Sequence, residues 1–401
     1  MKNILYSITA FCLVFFFLCC KKEETSRSFT VTPMDAKPVV KTNATKLYVH
    51  YMTWFETPGT NNGTWGWHWK MTAKNPDNIV DGRREIASWF YPLIEPYASS
   101  DPDVLEYHLL LMKYSGIDGV LVDWYGLQQK NDLPQIKNNT DALFESIEKT
   151  GLEFGIVYED RFLEGSKAAM IAQAKIDMKY LQDHYFPKPF YAKRNGKPLL
   201  LIFGPAVLQD KADWEDIFTV YTEKPAFYTL NNHFHTASTT AAGEYMWVDT
   251  QTPEQHYARA ADVPDFIGGA YPGFRDYYAE GGGGSHLLDI DYENGNLFKN
   301  LLNLGKEKNV NCLQLITWND FGEGTMIEPT AEFGYKFLTD NQQFSGVLYS
   351  ERELESIKRL YDLRKANAGK RETNKKLDQV FYYFVSLQPD KARELMNEIK
   401  D

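Results

Sequence analysis

Short apolar or aromatic runs recur along the chain at residues 47–51, 119–123, 154–158, 199–203, 226–230, 245–248, 266–271 and 312–318, each bounded by Gly, Pro or polar punctuation. Runs of this length without alternation of apolar and polar positions suit strands buried on both faces, which is the condition of a parallel sheet. Eight such strands, mostly spaced widely enough for a crossover helix, predict a single (β/α)₈ TIM barrel. One helix is legible in detail: Asp101 as cap and Pro102 as first helical residue precede Val104, Leu105, Leu109 and Met112 at helical spacing, and Gly116 supplies the stop. Between the fourth and seventh strands the spacing shrinks, so those connections are expected to be short or irregular. Residues 281–284, a run of Gly, read as a flexible turn or a mobile loop near the site.

The ends of the chain read differently. Beyond the barrel domain, placed at residues 46–349, Leu354, Ile357, Leu360, Tyr361 and Leu363 form an apolar stripe in a charged background. Residues 350–401 are therefore expected to be a C-terminal helical extension packed on the barrel. At the amino end Lys2 precedes an apolar stretch over residues 4–18, followed by Cys19-Cys20-Lys21-Lys22-Glu23-Glu24. A bilayer crossing needs about 20 apolar residues, so this stretch suits a lipoprotein signal peptide at residues 1–20, with Cys20 preferred over Cys19 for lipid attachment. The acidic-basic tag after it points to the outer membrane with display at the cell surface, the periplasmic face being the alternative. Residues 21–45, rich in Ser, Thr, Lys and Pro, are expected to form a flexible tether.

Composition narrows the partners. The net charge of -11 over 401 residues disfavours nucleic acid, whose binding needs clustered cationic surface. Aromatic residues make up 15% of the chain, and many fall at predicted strand ends, where their faces can pack on the C–H faces of a neutral sugar. Of the cysteines, Cys12, Cys19 and Cys20 lie in the signal, which leaves Cys312 without a disulfide partner or a thiolate metal set. His233 and His235 lack a third ligand, and there is no His-Glu-x-x-His, phosphate-cradling glycine loop or Gly-x-Ser-x-Gly elbow. No metal and no cofactor are expected, and the chain is expected to be a monomer.

Barrel enzymes keep their chemistry at the carboxyl ends of the strands. The last run opens there into Trp318-Asn319-Asp320-Phe321-Gly322-Glu323, two carboxylates three residues apart. Paired Asp and Glu side chains are the usual equipment for cleaving glycosidic bonds, which makes Glu323 and Asp320 the catalytic candidates. The alternative is a loop cap, in which the carboxylates accept N–H groups near Gly322 and Gly324. The other strand ends supply Tyr51, Trp54, Asp123, Trp124, Tyr125, Glu159, Tyr271, Trp318 and Asn319 as candidate substrate contacts. Glu159 has a salt bridge to Arg161 as its competing reading, and Glu328 reads as a structural acceptor. The cluster Trp65-Gly66-Trp67-His68-Trp69 can either stack on sugars or pin its own loop.

The segment Trp318-Asn319-Asp320-Phe321-Gly322-Glu323-Gly324-Thr325-Met326-Ile327-Glu328 resembles the Trp-Asn-Glu-x-x-Glu-Gly-Thr-x-Ile-Glu segment of glycoside hydrolase family 99 and the related 71/99-like proteins, the endo-α-mannosidases and endo-α-mannanases. The Asp-Gly-Val-Leu-Val-x-Trp-Tyr pattern at strand two and Glu159 after strand three are similar to that group as well. The resemblance implies a metal-free (β/α)₈ enzyme that retains anomeric configuration. It makes Glu323 the general acid/base and residue 320 the base that deprotonates the sugar 2-hydroxyl, giving a 1,2-anhydro sugar. Position 320 here is Asp, one methylene shorter than the family's Glu, and position 123 is Asp where the mannosidases carry a smaller polar residue. The expected function is a surface lipoprotein glycoside hydrolase that is endo-acting on an α-linked glycan, α-mannan first. The alternatives are a non-catalytic glycan-binding lipoprotein and an exo-acting xylosidase-like or α-glucanase-like hydrolase.

Overall fold

The computed structural model describes residues 28–399. All eight expected strands are present: β1 (Lys46–Tyr51), β2 (Gly119–Trp124), β3 (Glu153–Tyr158), β4 (Lys197–Ile202), β5 (Ala226–Leu230), β6 (Gly243–Tyr245), β7 (Phe266–Ala270) and β8 (Cys312–Leu315). Each pairs in parallel with the next in sequence, and β8 returns to β1 with Lys46 opposite Cys312, so the sheet closes and leaves no edge. Closure buries the strands on both sides, which is why they read as unbroken apolar runs. Where polar residues do interrupt them, as at His50, Asp123, Thr229 and Gln314, the side chains are buried all the same.

Outer helices follow most strands: α1 (Pro102–Tyr114), α2 (Leu133–Thr150), α3 (Lys167–Tyr180), α4 (Lys211–Ile217), α5 (Pro253–Arg259), α6 (Leu297–Glu307) and α7 (Lys336–Ser345). The start of α1 is the one read from the sequence: the Asp101 side chain accepts the Asp103 N–H at 2.9 Å, with Pro102 in the first turn. The shrinking spacing after β4 has its counterpart between β5 and β6, where a 3₁₀ turn at Phe234–Thr236 replaces a helix. Strand β6 lies so close to the neighbouring backbone that a Cβ on Gly243 would sit 1.9 Å from the Asp265 carbonyl oxygen, so only glycine fits.

Three further helices, α8 (Glu351–Ala366), α9 (Arg371–Val385) and α10 (Pro389–Asn397), form the C-terminal extension. Ser350 and Glu353 close a capping box at its start, and the stripe of Leu354, Ile357, Leu360 and Leu363 is buried. The extension meets α1 through Tyr107 against Tyr361, ring centroids 5.3 Å apart, and through the Arg364 guanidinium on Glu106 at 2.9 Å.

Residues 28–45 contain no helix or strand, as their composition suggests, but they are not free of the domain. Thr32 N–H donates to the Gln379 side chain at 2.7 Å, Lys37 N–H to the Val385 carbonyl at 2.9 Å, and Thr42 N–H to the Ser345 carbonyl at 3.1 Å. Lys113, buried in α1, donates to the Lys37 and Thr150 carbonyls at 2.5 and 2.9 Å. From Ser28 onward the expected tether is thus a strap, because its backbone groups find partners in α7 and α9. The signal stretch and Cys20 lie outside the described residues.

Candidate active site

The loop that leaves β8 is closed on itself. Thr317 N–H donates to the Thr325 carbonyl at 2.7 Å, Ile327 N–H to the Thr317 carbonyl at 2.9 Å, and Glu328 N–H to the Trp318 carbonyl at 2.8 Å. These bonds hold Asp320 and Glu323 at the rim of the barrel. Asp320 N–H donates to Thr317 Oγ1 at 2.8 Å, and Asp320 Oδ1 accepts the Glu323 N–H at 3.0 Å. The loop-cap reading of Asp320 is therefore realised for one of its oxygens: a short carboxylate folds back onto the N–H groups that follow it. Asp320 Oδ1 does this while its side chain stays beside Glu323.

The electrostatics of the pair follow from burial. Glu323 lies well above the usual carboxylate range, chiefly through burial and then through the Asp320 charge; the Tyr278 hydroxyl, 3.3 Å from Oε1, offsets part of this. Asp320 is pushed up to about 7, again by burial first, lowered by the Glu323 N–H and raised by Asp123. A Glu323 carboxyl raised well above its ordinary range beside an Asp320 pushed up to about 7 is the separation of roles that acid/base cleavage needs. Across the barrel mouth Asp123 is pushed up to about 6 by burial, held down in part by the Tyr125 hydroxyl. Glu159 is raised by burial and by the Asp123 charge, and it pairs with Arg161 Nε at 2.7 Å. The salt bridge expected as the bland reading of Glu159 is thus present, yet it lies within the acid cluster.

Raised carboxyls make stability depend on pH in a definite direction. An unfolded Asp releases its proton near pH 4, whereas folded Asp320 holds one up to about 7. The folded state binds more protons across that window, so stability is fully present below it and is lost as pH rises through about 7. We predict that the melting temperature falls between about pH 5 and about pH 8, and that Asp320→Asn flattens the fall, since Asn still accepts the Glu323 N–H without a charge to bury. Thermal melts at both pH values check this; parallel curves for wild type and variant would contradict it.

Beside the acid cluster an open cleft of about 820 Å³ runs over the β1, β2 and β3 loops, walled by Trp54, Trp67, His68, Tyr125 and Phe162. His68 stacks flat on Trp54 with centroids 4.0 Å apart, and burial pushes its imidazole down to about 3, so it is a neutral ring. Within the Trp65–Trp69 cluster, Trp65 and Trp69 pin the loop and Trp67 is left partly exposed. Trp67 is 38% exposed at the cleft, while Trp69 is fully buried with its Nε1–H on the Tyr97 carbonyl at 2.7 Å, and Trp65 donates to Asp77 at 2.8 Å.

Among the expected substrate contacts, the structure brings together Asp123, Glu159 and Tyr125 with Asp320 and Glu323, and sets Trp54 in the cleft wall. Tyr51, Trp124, Trp318 and Asn319 go elsewhere. Alternate residues of a strand point to opposite faces, so Tyr51 reaches outward to His108 of α1 at 2.9 Å and Trp124 stacks on Tyr180 of α3, while Trp318, in the loop after β8, packs on the same His108. Asn319 is fully buried, bonded to the backbone of Met52. Tyr271 is buried at the β7 end near the Asp249 charge, away from the aromatic cleft.

Three residues at or after the carboxyl ends of the strands were not singled out by sequence reasoning. Tyr278, on a one-turn helix after β7, touches Glu323, but no periodicity marks its segment. His50 and Trp247 meet edge to face at 4.7 Å, and burial pushes His50 down to about 3. A polar residue inside an apolar run was the visible sign for His50. The loop at residues 281–284, expected to be flexible, is pinned by Thr72 and Ala73 N–H groups on the Gly281 carbonyl at 3.0 and 2.9 Å. Among the described residues no group of His, Cys, Asp and Glu is arranged to hold a metal.

Known proteins share the sequence of the first half of the barrel and its overall fold. The family model of glycosyl hydrolase family 99 matches residues 42–229, the stretch that carries β1 to β5 but not the loop of Glu323. The mouse glycoprotein endo-alpha-1,2-mannosidase-like protein is 27% identical over 205 residues, covering 47% of this chain and 44% of its own length. The Xenopus laevis glycoprotein endo-alpha-1,2-mannosidase is 23% identical over 258 residues, covering 60% of this chain and 52% of its own. The chain thus spans about half the length of the curated relatives it matches. In structure it is similar to the GH99 endo-alpha-mannosidase of Bacteroides thetaiotaomicron, at a TM-score of 0.58 and 21% identity, over 80% of this chain and 98% of that one. A glycoside hydrolase-like protein aligns at a TM-score of 0.55 and 12% identity, over 79% of this chain and 98% of that one.

Proposed function

We propose that this chain, a member of glycosyl hydrolase family 99, is a retaining hydrolase that cuts within α-linked glycans, with α-mannan or another α-mannoside as substrate. The observation that carries the reading is the placement of Glu323, whose carboxyl burial raises, beside Asp320 at the carboxyl end of β8, near an aromatic cleft that shares Tyr125 with the acid cluster. Glu323 donates its proton to the glycosidic oxygen as the bond to C1 breaks. The sugar 2-hydroxyl gives its proton to Asp320 while O2 bonds to C1, which yields a 1,2-anhydro sugar. Water then attacks C1 and gives a proton to Glu323 as the C1–O2 bond breaks, and O2 takes its proton back from Asp320. The C1 centre is inverted twice, so configuration is retained.

The stereochemistry of this step favours mannose. In an α-mannoside the 2-hydroxyl stands trans to the leaving oxygen and can reach the far face of C1, whereas in an α-glucoside the two are cis. The cleft supports internal cleavage: it is open, its volume of about 820 Å³ falls within the usual range of ligand clefts of about 300–1,000 Å³, and its aromatic faces offer rings a platform. Asp123, Glu159, Tyr125 and Trp54 are the side chains placed to contact the sugars. Digestion of a glycan panel with product sizing tests the proposal: oligosaccharides released from α-mannan support it, and release of single sugars from chain ends alone would overturn the endo assignment.

The same proposal places the enzyme at the outer membrane through a lipid on Cys20, on the strength of the apolar stretch over residues 4–18 that ends in Cys19-Cys20. Cys20→Ser is expected to abolish incorporation of labelled fatty acid and to move the protein out of the membrane fraction. Unchanged labelling in that variant would contradict the anchor.

A further inference from the structure

The side chains of the β8 loop divide by destination. Asp320 and Glu323 belong to the acid cluster, while Asn319 and Glu328 turn away from it into a closed layer between β1 and α1. Asn319 brackets Met52, accepting its N–H at 2.8 Å and donating to its carbonyl at 3.0 Å. The same amide donates to the Tyr97 hydroxyl at 3.2 Å, and that hydroxyl donates to Glu328 Oε2 at 2.6 Å. Glu328 Oε1 lies 3.2 Å from His108 Nε2, and His108 Nδ1 meets the Tyr51 hydroxyl at 2.9 Å. None of these residues is more than 4% exposed.

A carboxyl group is an expensive filler for such a layer. Burying it is unfavourable unless it is partnered, and well-packed apolar residues of similar volume often serve stability as well or better. Its placement gives it another use, because Glu328 lies at the far end of the loop that carries Glu323, whose two ends are tied by the Glu328 N–H to Trp318 carbonyl bond at 2.8 Å. We propose that Glu328 is a positioning residue: through Tyr97 and Asn319 it fixes the loop so that Glu323 and Asp320 keep the placement the reaction needs. This rests on the hydrolase reading above.

The test compares kcat, KM and melting temperature for Glu328→Ala, Glu328→Gln and Tyr97→Phe on a glycan that the wild type cleaves. Leu377→Ala, a truncation in the buried face of α9 remote from the loop, serves as the stability control. A misplacement of about 1 Å is enough for a loss of about a hundredfold, so Glu328→Ala is expected to lower kcat about a hundredfold with KM within about threefold. Glu328→Gln, which keeps the shape and the acceptor for Tyr97, is expected to recover about tenfold of that loss, and Tyr97→Phe to lower kcat about tenfold. Leu377→Ala should lose stability while keeping kcat within about twofold. A Glu328→Ala enzyme with wild-type kcat overturns the proposal, as does a Leu377→Ala enzyme that loses kcat in step with its melting temperature. If Glu328→Ala does not fold, Tyr97→Phe decides, and an unchanged kcat there overturns it. A wild type that cleaves no glycan sinks the hydrolase reading and this inference together, whereas an active wild type with an indifferent Glu328 sinks this inference alone.

Discussion

Glu323→Gln is expected to lower turnover by roughly 10²–10⁴ while glycan affinity stays within about threefold. Gln fills the same space and can still accept the Tyr278 hydroxyl, which lies 3.3 Å from Oε1 in the wild type, so the site keeps its shape and loses only a transferable proton. The loss falls on the step in which the leaving oxygen departs, because an unprotonated alkoxide is a poor leaving group. It follows that substrates with a more acidic leaving group should suffer less, and that the two effects should scale together. Steady-state kinetics on a natural glycan and on an activated aryl glycoside, with binding measured by calorimetry, check the prediction. Undiminished turnover on the natural glycan would remove Glu323 from the mechanism.

Asp320→Asn carries the second large effect. Asn preserves the contact of residue 320 with the Glu323 N–H, 3.0 Å in the wild type, so the loop should stay folded. It removes the carboxylate that, in the proposed mechanism, takes the proton of the 2-hydroxyl, and a lost general base is worth roughly 10²–10⁴ in rate. With Asp320 pushed up to about 7, the wild-type rate should rise with pH through that value as the base ionises, then fall when Glu323 loses its proton. Because Asp123 raises Asp320, neutralising it as Asp123→Asn should move the rising limb to lower pH. The groups facing Asp123 are Tyr125, Glu159, Arg161 and Asp320; the Tyr125 hydroxyl, the Arg161 charge and the hydrogen bond with Glu159 each lower it against the effect of burial. The pH profile of kcat/KM for wild type and Asp320→Asn separates the readings: an intact rising limb in the variant would show that another group is the base.

The barrel was legible because a closed parallel sheet imposes a simple rule, an apolar run for every strand, and all eight runs became strands. The carboxylates of the site were legible for a related reason: polar residues that end such runs have few structural uses. The aromatic residues beside them were harder. Tyr51, Trp124 and Trp318 adjoin polar site candidates in sequence, but the two-residue period of a strand sends Tyr51 and Trp124 outward to His108 and Tyr180, and Trp318, past the end of β8, packs on His108 as well. An aromatic side chain pays little penalty on either face, so its identity does not reveal its direction. Asn319 misled in another way, since its hydrogen bonds go to the backbone of Met52, a partner 267 positions distant that no local pattern discloses. Tyr278 escaped notice because a one-turn helix has no period to read.

Asp320 shows where residue type and position together were informative but incomplete. Its place after β8 announces chemistry, and its length decides how far it reaches. The structure shows one oxygen accepting the Glu323 N–H, and the proposed mechanism assigns the other to the substrate. The central claim, a retaining α-glycan hydrolase working through the 2-hydroxyl, is tested most directly by proton NMR of the first product formed from α-mannan. The account predicts that the new reducing end appears first as the α-anomer and only then equilibrates. A β-anomer formed first, or a glycan that binds and is never cut, would contradict it.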